Sequence, residues 1–209
     1  MSNSTFSWEQ FNQTPVVGIL RGFSMEQIRE IMPVYIESGF FTIEITMNSP
    51  NAEASIHQLA KEYPNLNVGA GTVCNMDDLK KALDAGAQFI VTPVIDEAVI
   101  THCVKTGIPV FPGGYTPTEI HKAWSLGANA VKIFPATQLG TKYIKDILGP
   151  LNTIKLLPTG GVSKDNISDF FNVGCVGVGM GGSLFDKNII LSGDKIALKA
   201  HFDAIKQAI

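Results

Sequence analysis

Short apolar runs recur along the whole chain, and each is followed by a segment whose apolar positions return at helical spacing. The runs are PVVGIL (15–20), FTIEIT (41–46), NVGAGTV (67–73), FIVTPV (89–94), PVFPGG (109–114), AVKIFPA (130–136), KLLPTGG (155–161) and CVGVGMGG (175–182). Their continuous apolar character suits parallel strands covered on both faces. Between them the period changes: in SMEQIREIMPVYIES, Ile28, Ile31, Met32 and Tyr35 fall on one helical face. Asn75 opens MDDLKKALDAG as a cap and Gly86 closes it. Gly39, Gly86, Gly107, Gly127 and Gly174 each follow a helix and precede a strand, where a left-handed cap is wanted.

Eight strand–helix units at a spacing of roughly 20–27 residues predict an α/β fold, a (β/α)8 TIM barrel forming a single domain over residues 15–209. Residues 1–14 are the N-terminal addition, in which 3–13 are expected to form a short helix closing the bottom of the barrel. A doubly wound open sheet is the alternative. It usually needs fewer strands, and no G-x-G-x-x-G opens a helix after the first run.

The chain has 209 residues, 45% hydrophobic and 17% charged, enough for one sizeable core in an ordinary globular balance. A net charge of −3 provides no basic field for nucleic acid, so an anionic ligand must be attracted locally. Cys74, Cys103 and Cys175 are widely spaced and fit neither a zinc pattern nor a disulfide framework; small buried or half-buried thiols are expected. MSNSTFSWEQF lacks the basic and apolar regions of a signal peptide. No apolar run reaches the ~18–20 residues of a membrane span, so a cytoplasmic location without membrane partners is expected.

In such a barrel, polar residues at the C-terminal ends of strands converge on one mouth. Here they are Arg21, Glu44, Thr72, Thr92, Lys132, Thr159 and the glycine pairs 160–161 and 181–182. Lys132 is the most pointed. Ala130, Lys132 and Phe134 share one strand face, Val131 and Ile133 the other. A lysine on either face is costly to bury while charged and tends to become neutral, the form that attacks a ketone. It could equally pair with a carboxylate or reach water at the strand end. Glu44 in FTIEIT raises the same question: a structural partner for the lysine, or a proton shuttle acting through water.

Two Gly-Gly pairs, in PTGGV (158–162) and GMGGSLF (179–185), expose backbone N–H groups where barrels of this class often hold a phosphate. Ser183 offers a further hydroxyl donor. His57, His102, His121 and His201 lie on predicted helices, away from strand ends, as surface or packing residues. No His/Asp/Glu cluster has metal-ligand spacing, so neither a metal nor another cofactor is expected.

As an ordered set, EIT (44–46), GAGTV (69–73), VTP (91–93), PGGYTPTE (112–119), VKIFPA (131–136), PTGG (158–161) and GGS (181–183) resemble the 2-keto-3-deoxy-6-phosphogluconate and 4-hydroxy-2-oxoglutarate aldolases, from Pro15 onward. The resemblance implies a metal-independent Schiff-base lyase, a homotrimer of barrels and a small phosphorylated 2-keto acid as substrate. It implies Lys132 as the Schiff-base lysine and Glu44 as the acid/base. Thr72 and Pro93 then belong to the pyruvate pocket, with Phe134 packed on the pyruvyl group. Gly160, Gly161, Gly181, Gly182 and Ser183 form the phosphate cradle, and Arg21 is a basic residue at the mouth.

The gluconate-type pattern E-V-T-L-R-T places an arginine where this chain has Asn48, and ITMNSP resembles the segment of 6-phosphogalactonate aldolases. Arg21, or backbone donors near Gly71 and Thr72, would then hold the keto-acid carboxylate. Thr159, by contrast, stands where the galactonate branch typically has valine, and favours the gluconate epimer through a hydroxyl contact at C4. The expected reaction is cleavage of 2-dehydro-3-deoxy-6-phosphogluconate to pyruvate and glyceraldehyde 3-phosphate. Aldol cleavage of the 6-phosphogalactonate epimer or of 4-hydroxy-2-oxoglutarate is the alternative, and a phosphosugar isomerase or a non-enzymatic phosphosugar-binding barrel ranks behind it.

Overall fold

The computed structural model describes residues 5–209. Among these residues nine short strands are all paired in parallel: β1 (Val16–Leu20), β2 (Thr42–Thr46), β3 (Asn67–Gly71), β4 (Ile90–Val91), β5 (Val110–Phe111), β6 (Gly113–Gly114), β7 (Val131–Ile133), β8 (Leu156–Pro158) and β9 (Val178–Met180). They form a curled six-stranded sheet, β5-β4-β3-β2-β1-β9, and a three-stranded sheet, β6-β7-β8. This order runs in sequence without the reversal that a doubly wound sheet requires. A parallel bridge between Thr159 and Gly179 links β8 to β9. Only Pro112 separates β5 from β6, and its carbonyl accepts the Lys132 N–H at 2.9 Å.

The strands are shorter than the apolar runs because special backbone positions stop them. Thr72 turns to φ +57° after β3, and Gly160 to +91° after β8. Pro112 cannot donate to a ladder and splits the fifth run. The five inter-unit glycines have positive φ, Gly107 among them at +74°.

Helices α1 (Trp8–Gln13), α2 (Met25–Glu37), α3 (Ala52–Glu62), α4 (Met76–Asp84), α5 (Glu97–Thr106), α6 (Pro117–Ser125), α7 (Gly140–Leu148), α8 (Ile167–Asn172), α9 (Lys187–Ser192) and α10 (Lys195–Lys206) complete the chain. On α2 the predicted face is the buried one, with Ile28, Ile31, Met32 and Tyr35 all inside. Asn75 caps α4 by accepting the Asp78 N–H at 2.8 Å. The N-terminal helix is shorter than predicted. It begins after Ser7, whose Oγ accepts from Gln10 N; residues 3 and 4 of the predicted span lie outside the described residues. None of the described helices is long and apolar enough to cross a membrane.

Strand alternation divides the core in two. Ile43, Ile45, Val131, Ile133, Leu156, Val178 and Met180 pack in the larger cluster with the helices. Val17, Val91, Phe111, Ala130 and Leu157 form a second cluster with Phe11 of α1 and Phe89. The second cluster faces the inside of the curl, and Phe11 stacks on Phe111 with ring centroids 6.1 Å apart. Lys132 and Glu44 sit between outward-facing neighbours, so both point inward, toward that concave side. Cys103 and Cys175 are buried as expected, and burial pushes both thiols up to about 12. Cys74 differs: it follows the Thr72 turn at the mouth and is exposed.

Candidate active site

Lys132 and Glu44 line one narrow inner cleft together with Thr159 and Gly179. Both side chains are almost wholly buried, at 5% and 1% exposure. Burial lowers the affinity of Lys132 for its proton, against the attraction of Glu44. Burial likewise raises the Glu44 carboxyl, against the charges of Lys132 and Arg21. Each group is therefore driven toward its neutral form by the dry interior and partly restored by the other. Glu44 Oε2 has no hydrogen-bond partner among the described residues, which leaves an acceptor aimed into the site.

Gly71 makes room for that carboxylate. A Cβ added there would overlap Glu44 Oε1 and lie 2.5 Å from its Cδ. Gly71→Ala is expected to cost about 1–3 kcal/mol, the usual penalty for overfilling a packed interior. It should appear as a lower urea midpoint, and an unchanged midpoint would show that the Glu44 side chain has free space to move.

Above the cleft opens a cavity of about 630 Å³. Its wall contains Arg21, Lys132, Phe134, Thr159, Gly160, Gly161, Gly181, Gly182 and Ser183, so nine of the predicted site residues come together there. The Lys132 ammonium nitrogen stands 4.6 Å from the Phe134 ring centroid, within reach of its π face. Thr72 joins from the side, its Oγ1 accepting from Arg21 Nη2 at 3.4 Å. Pro93 does not line the cavity; it is half-buried, and its carbonyl packs so closely on Gly113 that a side chain there would clash.

The two glycine loops are braced from below. Gly160 and Gly161 hold φ of +91° and +76°, and Asn166 clamps their turn by donating to Gly161 O at 2.9 Å and accepting from Ser163 N at 2.8 Å. The N–H groups of Gly161, Gly182 and Ser183 find no acceptor among the described residues. Unpaired backbone donors of this kind are able to bind an anion. The Ser183 hydroxyl, expected as a further donor, is instead given to Val162 O at 2.5 Å, tying one loop to the other.

Several contributors escaped the sequence reading. His201, expected as a surface or packing residue, places Nε2 3.1 Å from both Ser183 O and Leu184 O, and so supports the second glycine loop. Ser49, in the NSP segment, accepts from Gly22 N at 3.0 Å and fixes the backbone beside Arg21. Neighbouring Asn48 is exposed and does not line the cavity. Lys187 of α9 lines it too. These contacts join loops far apart in sequence, so no local pattern signalled them. Among the described residues no cluster of three His, Cys, Asp or Glu side chains could hold a metal ion.

The sequence profile described as "Aldolase: KDPG and KHG aldolase" matches residues 8–200. The chain belongs to the KDPG and KHG aldolase family. Members of this family are carbon–carbon lyases. The chain is 36% identical, over 82% of its length and 84% of the relative's, to the 2-dehydro-3-deoxy-6-phosphogalactonate aldolase of Escherichia coli (strain K12). It is 31% identical, over 74% of its length and 75% of the relative's, to the 2-dehydro-3-deoxy-phosphogluconate aldolase of Treponema pallidum (strain Nichols). A solved structure described as "Native KDPGal structure" superimposes with a TM-score of 0.87 at 32% identity, covering 98% of this chain and 96% of that one. The curled parallel sheet with helices outside it is thus the architecture of the KDPG and KHG aldolases.

Proposed function

We propose that this aldolase cleaves 2-dehydro-3-deoxy-6-phosphogluconate to pyruvate and glyceraldehyde 3-phosphate through a Schiff base on Lys132. The observation that carries the reading is the buried Lys132–Glu44 pair in one cleft, with the Glu44 Oε2 acceptor unused. The neutral Lys132 amine adds to the C2 ketone, and loss of water gives an iminium. Glu44, through a water admitted with the substrate, takes the C4-hydroxyl proton. The C3–C4 bond breaks, its electron pair passing into the iminium to form an enamine and releasing the aldehyde. Protonation at C3 and hydrolysis return pyruvate and the free amine.

Around this centre, Phe134 packs against the pyruvyl group, with Thr72 and Pro93 shaping that end. Arg21, in place of the arginine that Asn48 replaces, takes the carboxylate; its backbone is fixed by Ser49 and its side chain by Thr72. The nest of Gly160, Gly161, Gly181, Gly182 and Ser183 receives the phosphate through backbone N–H groups. We read the two sheets as one closed (β/α)8 barrel over 15–209, supported by the Thr159–Gly179 bridge and the continuity of β5 and β6 through Pro112. Assembly as a homotrimer rests on the family resemblance, and sedimentation equilibrium would measure it.

Thr159 supports the gluconate epimer. Its hydroxyl is buried in the cleft beside Lys132, and its partner there, Leu157 O, lies at 3.5 Å, leaving the proton available to a substrate oxygen. Thr159→Val is expected to lower kcat/KM for the gluconate substrate about threefold to tenfold, the worth of one neutral hydrogen bond, relative to its C4 epimer. An unchanged ratio of the two rates would remove Thr159 from epimer choice. A second reading, cleavage of the 6-phosphogalactonate epimer, is favoured by ITMNSP and by the identity to the Escherichia coli enzyme. Side-by-side turnover of the two epimers decides between them.

A further inference from the structure

The wall of the main cavity carries three basic residues, Arg21, Lys132 and Lys187, and no carboxylate among the described residues. Two of the three have evident uses: Lys132 is buried in the cleft, and Arg21 leans toward β3 and contacts Thr72. Lys187 follows β9, on the other side of β1, four residues past Ser183, and lines the same cavity wall as Gly182 and Ser183, whose N–H groups are free among the described residues. It is exposed and takes part in no ion pair among the described residues, so the fold itself makes no use of its charge. The adjacent Asp186 does not neutralise it. Asp186 Oδ1 is engaged in capping α9, accepting from Asn188 N at 2.8 Å and Ile189 N at 3.2 Å. Arg21 and Lys187 also share a second, smaller hollow of about 210 Å³ beside the main cavity, so both stems border the same opening.

We propose that Lys187 is a specificity-determining residue that selects phosphorylated substrates by setting its ammonium against the phosphate held in the glycine nest. This rests on the aldolase reading above. The nest offers neutral backbone donors alone, and a phosphate at neutral pH carries between one and two negative charges that those donors do not neutralise. A lysine supplies a compact point charge on a flexible stem, suited to an anion at an exposed rim. The phosphate is remote from the bond that breaks, so its contact with Lys187 is equal in the ground and transition states. Such uniform binding appears in KM and not in kcat. Added salt screens an exposed contact of this kind.

The test runs the reaction in the condensing direction, pyruvate with glyceraldehyde 3-phosphate and, separately, pyruvate with glyceraldehyde. Lys187→Met is expected to raise KM for the phosphorylated aldehyde about tenfold, as for loss of a charge-assisted contact. KM for glyceraldehyde should move less than twofold, and Lys187→Arg should restore most of the discrimination. The wild-type preference should shrink as salt is added. A KM for the phosphorylated aldehyde that stays within twofold in Lys187→Met, or equal rises for both aldehydes, would overturn the assignment. A wild-type protein that yields no borohydride-trapped pyruvate adduct would overturn the aldolase reading instead, and this one with it.

Discussion

Lys132→Met is expected to lower kcat by on the order of 10⁴-fold or more while the chain remains folded. The magnitude is that of removing a covalent nucleophile, where the remaining catalysis comes only from binding and electrostatics. Methionine has a similar volume and no amine, so the 5%-exposed position stays filled. Its stability is expected to be at or below that of wild type, because relief of the buried amine is offset by loss of the charge that partners the buried Glu44 carboxyl. Steady-state pyruvate release and urea denaturation check the two halves. Retained activity in a folded Lys132→Met protein would point to the isomerase-type chemistry in which Glu44 acts alone as a base.

Glu44→Gln is expected to lower kcat by about 10²–10⁴-fold, the range for loss of a general acid/base. It leaves the lysine in place, so slow Schiff-base formation with pyruvate persists. The pH dependence separates charge from shape. Trapping of the pyruvate iminium requires the neutral amine to attack, so its rate falls as pH falls through the Lys132 pKa. The Glu44 carboxylate raises that pKa. Removing the carboxylate's charge therefore lowers it further, and the acid limb of the trapping rate shifts to lower pH in Glu44→Gln. Rates of borohydride inactivation across a pH series measure this, and an acid limb that moves upward would contradict the coupling.

Much of this site was legible in the chain because a parallel strand leaves a polar residue few places to hide. Val131 and Ile133 flank Lys132, and Ile43 and Ile45 flank Glu44, so alternation alone put each charge on the face opposite its neighbours. The glycines ending the helices were legible for a similar reason, since positive φ admits few other residues. The ends of strands were harder. Runs such as FIVTPV and PVFPGG are apolar over more residues than pair in the ladder, since burial alone does not mark where pairing stops; only Ile90–Val91 and the two pieces around Pro112 pair. The buttresses were not legible at all. His201 and Ser183 are 18 residues apart, Gly22 and Ser49 are 27 apart, and nothing in either local sequence announces the contact. Ser183 shows the limit most clearly: its place in GGS suggested a hydroxyl donor for an anion, yet that hydroxyl is committed to Val162 O and only its backbone N–H is free among the described residues.

The proposed chemistry requires covalent capture of pyruvate on Lys132. Incubation of the folded protein with pyruvate and borohydride, followed by peptide mass mapping, tests it in one step. A single reduced pyruvyl adduct on the peptide containing Lys132, absent from Lys132→Met, is the predicted result. An unmodified Lys132 in folded protein that nonetheless turns over its substrate would contradict it.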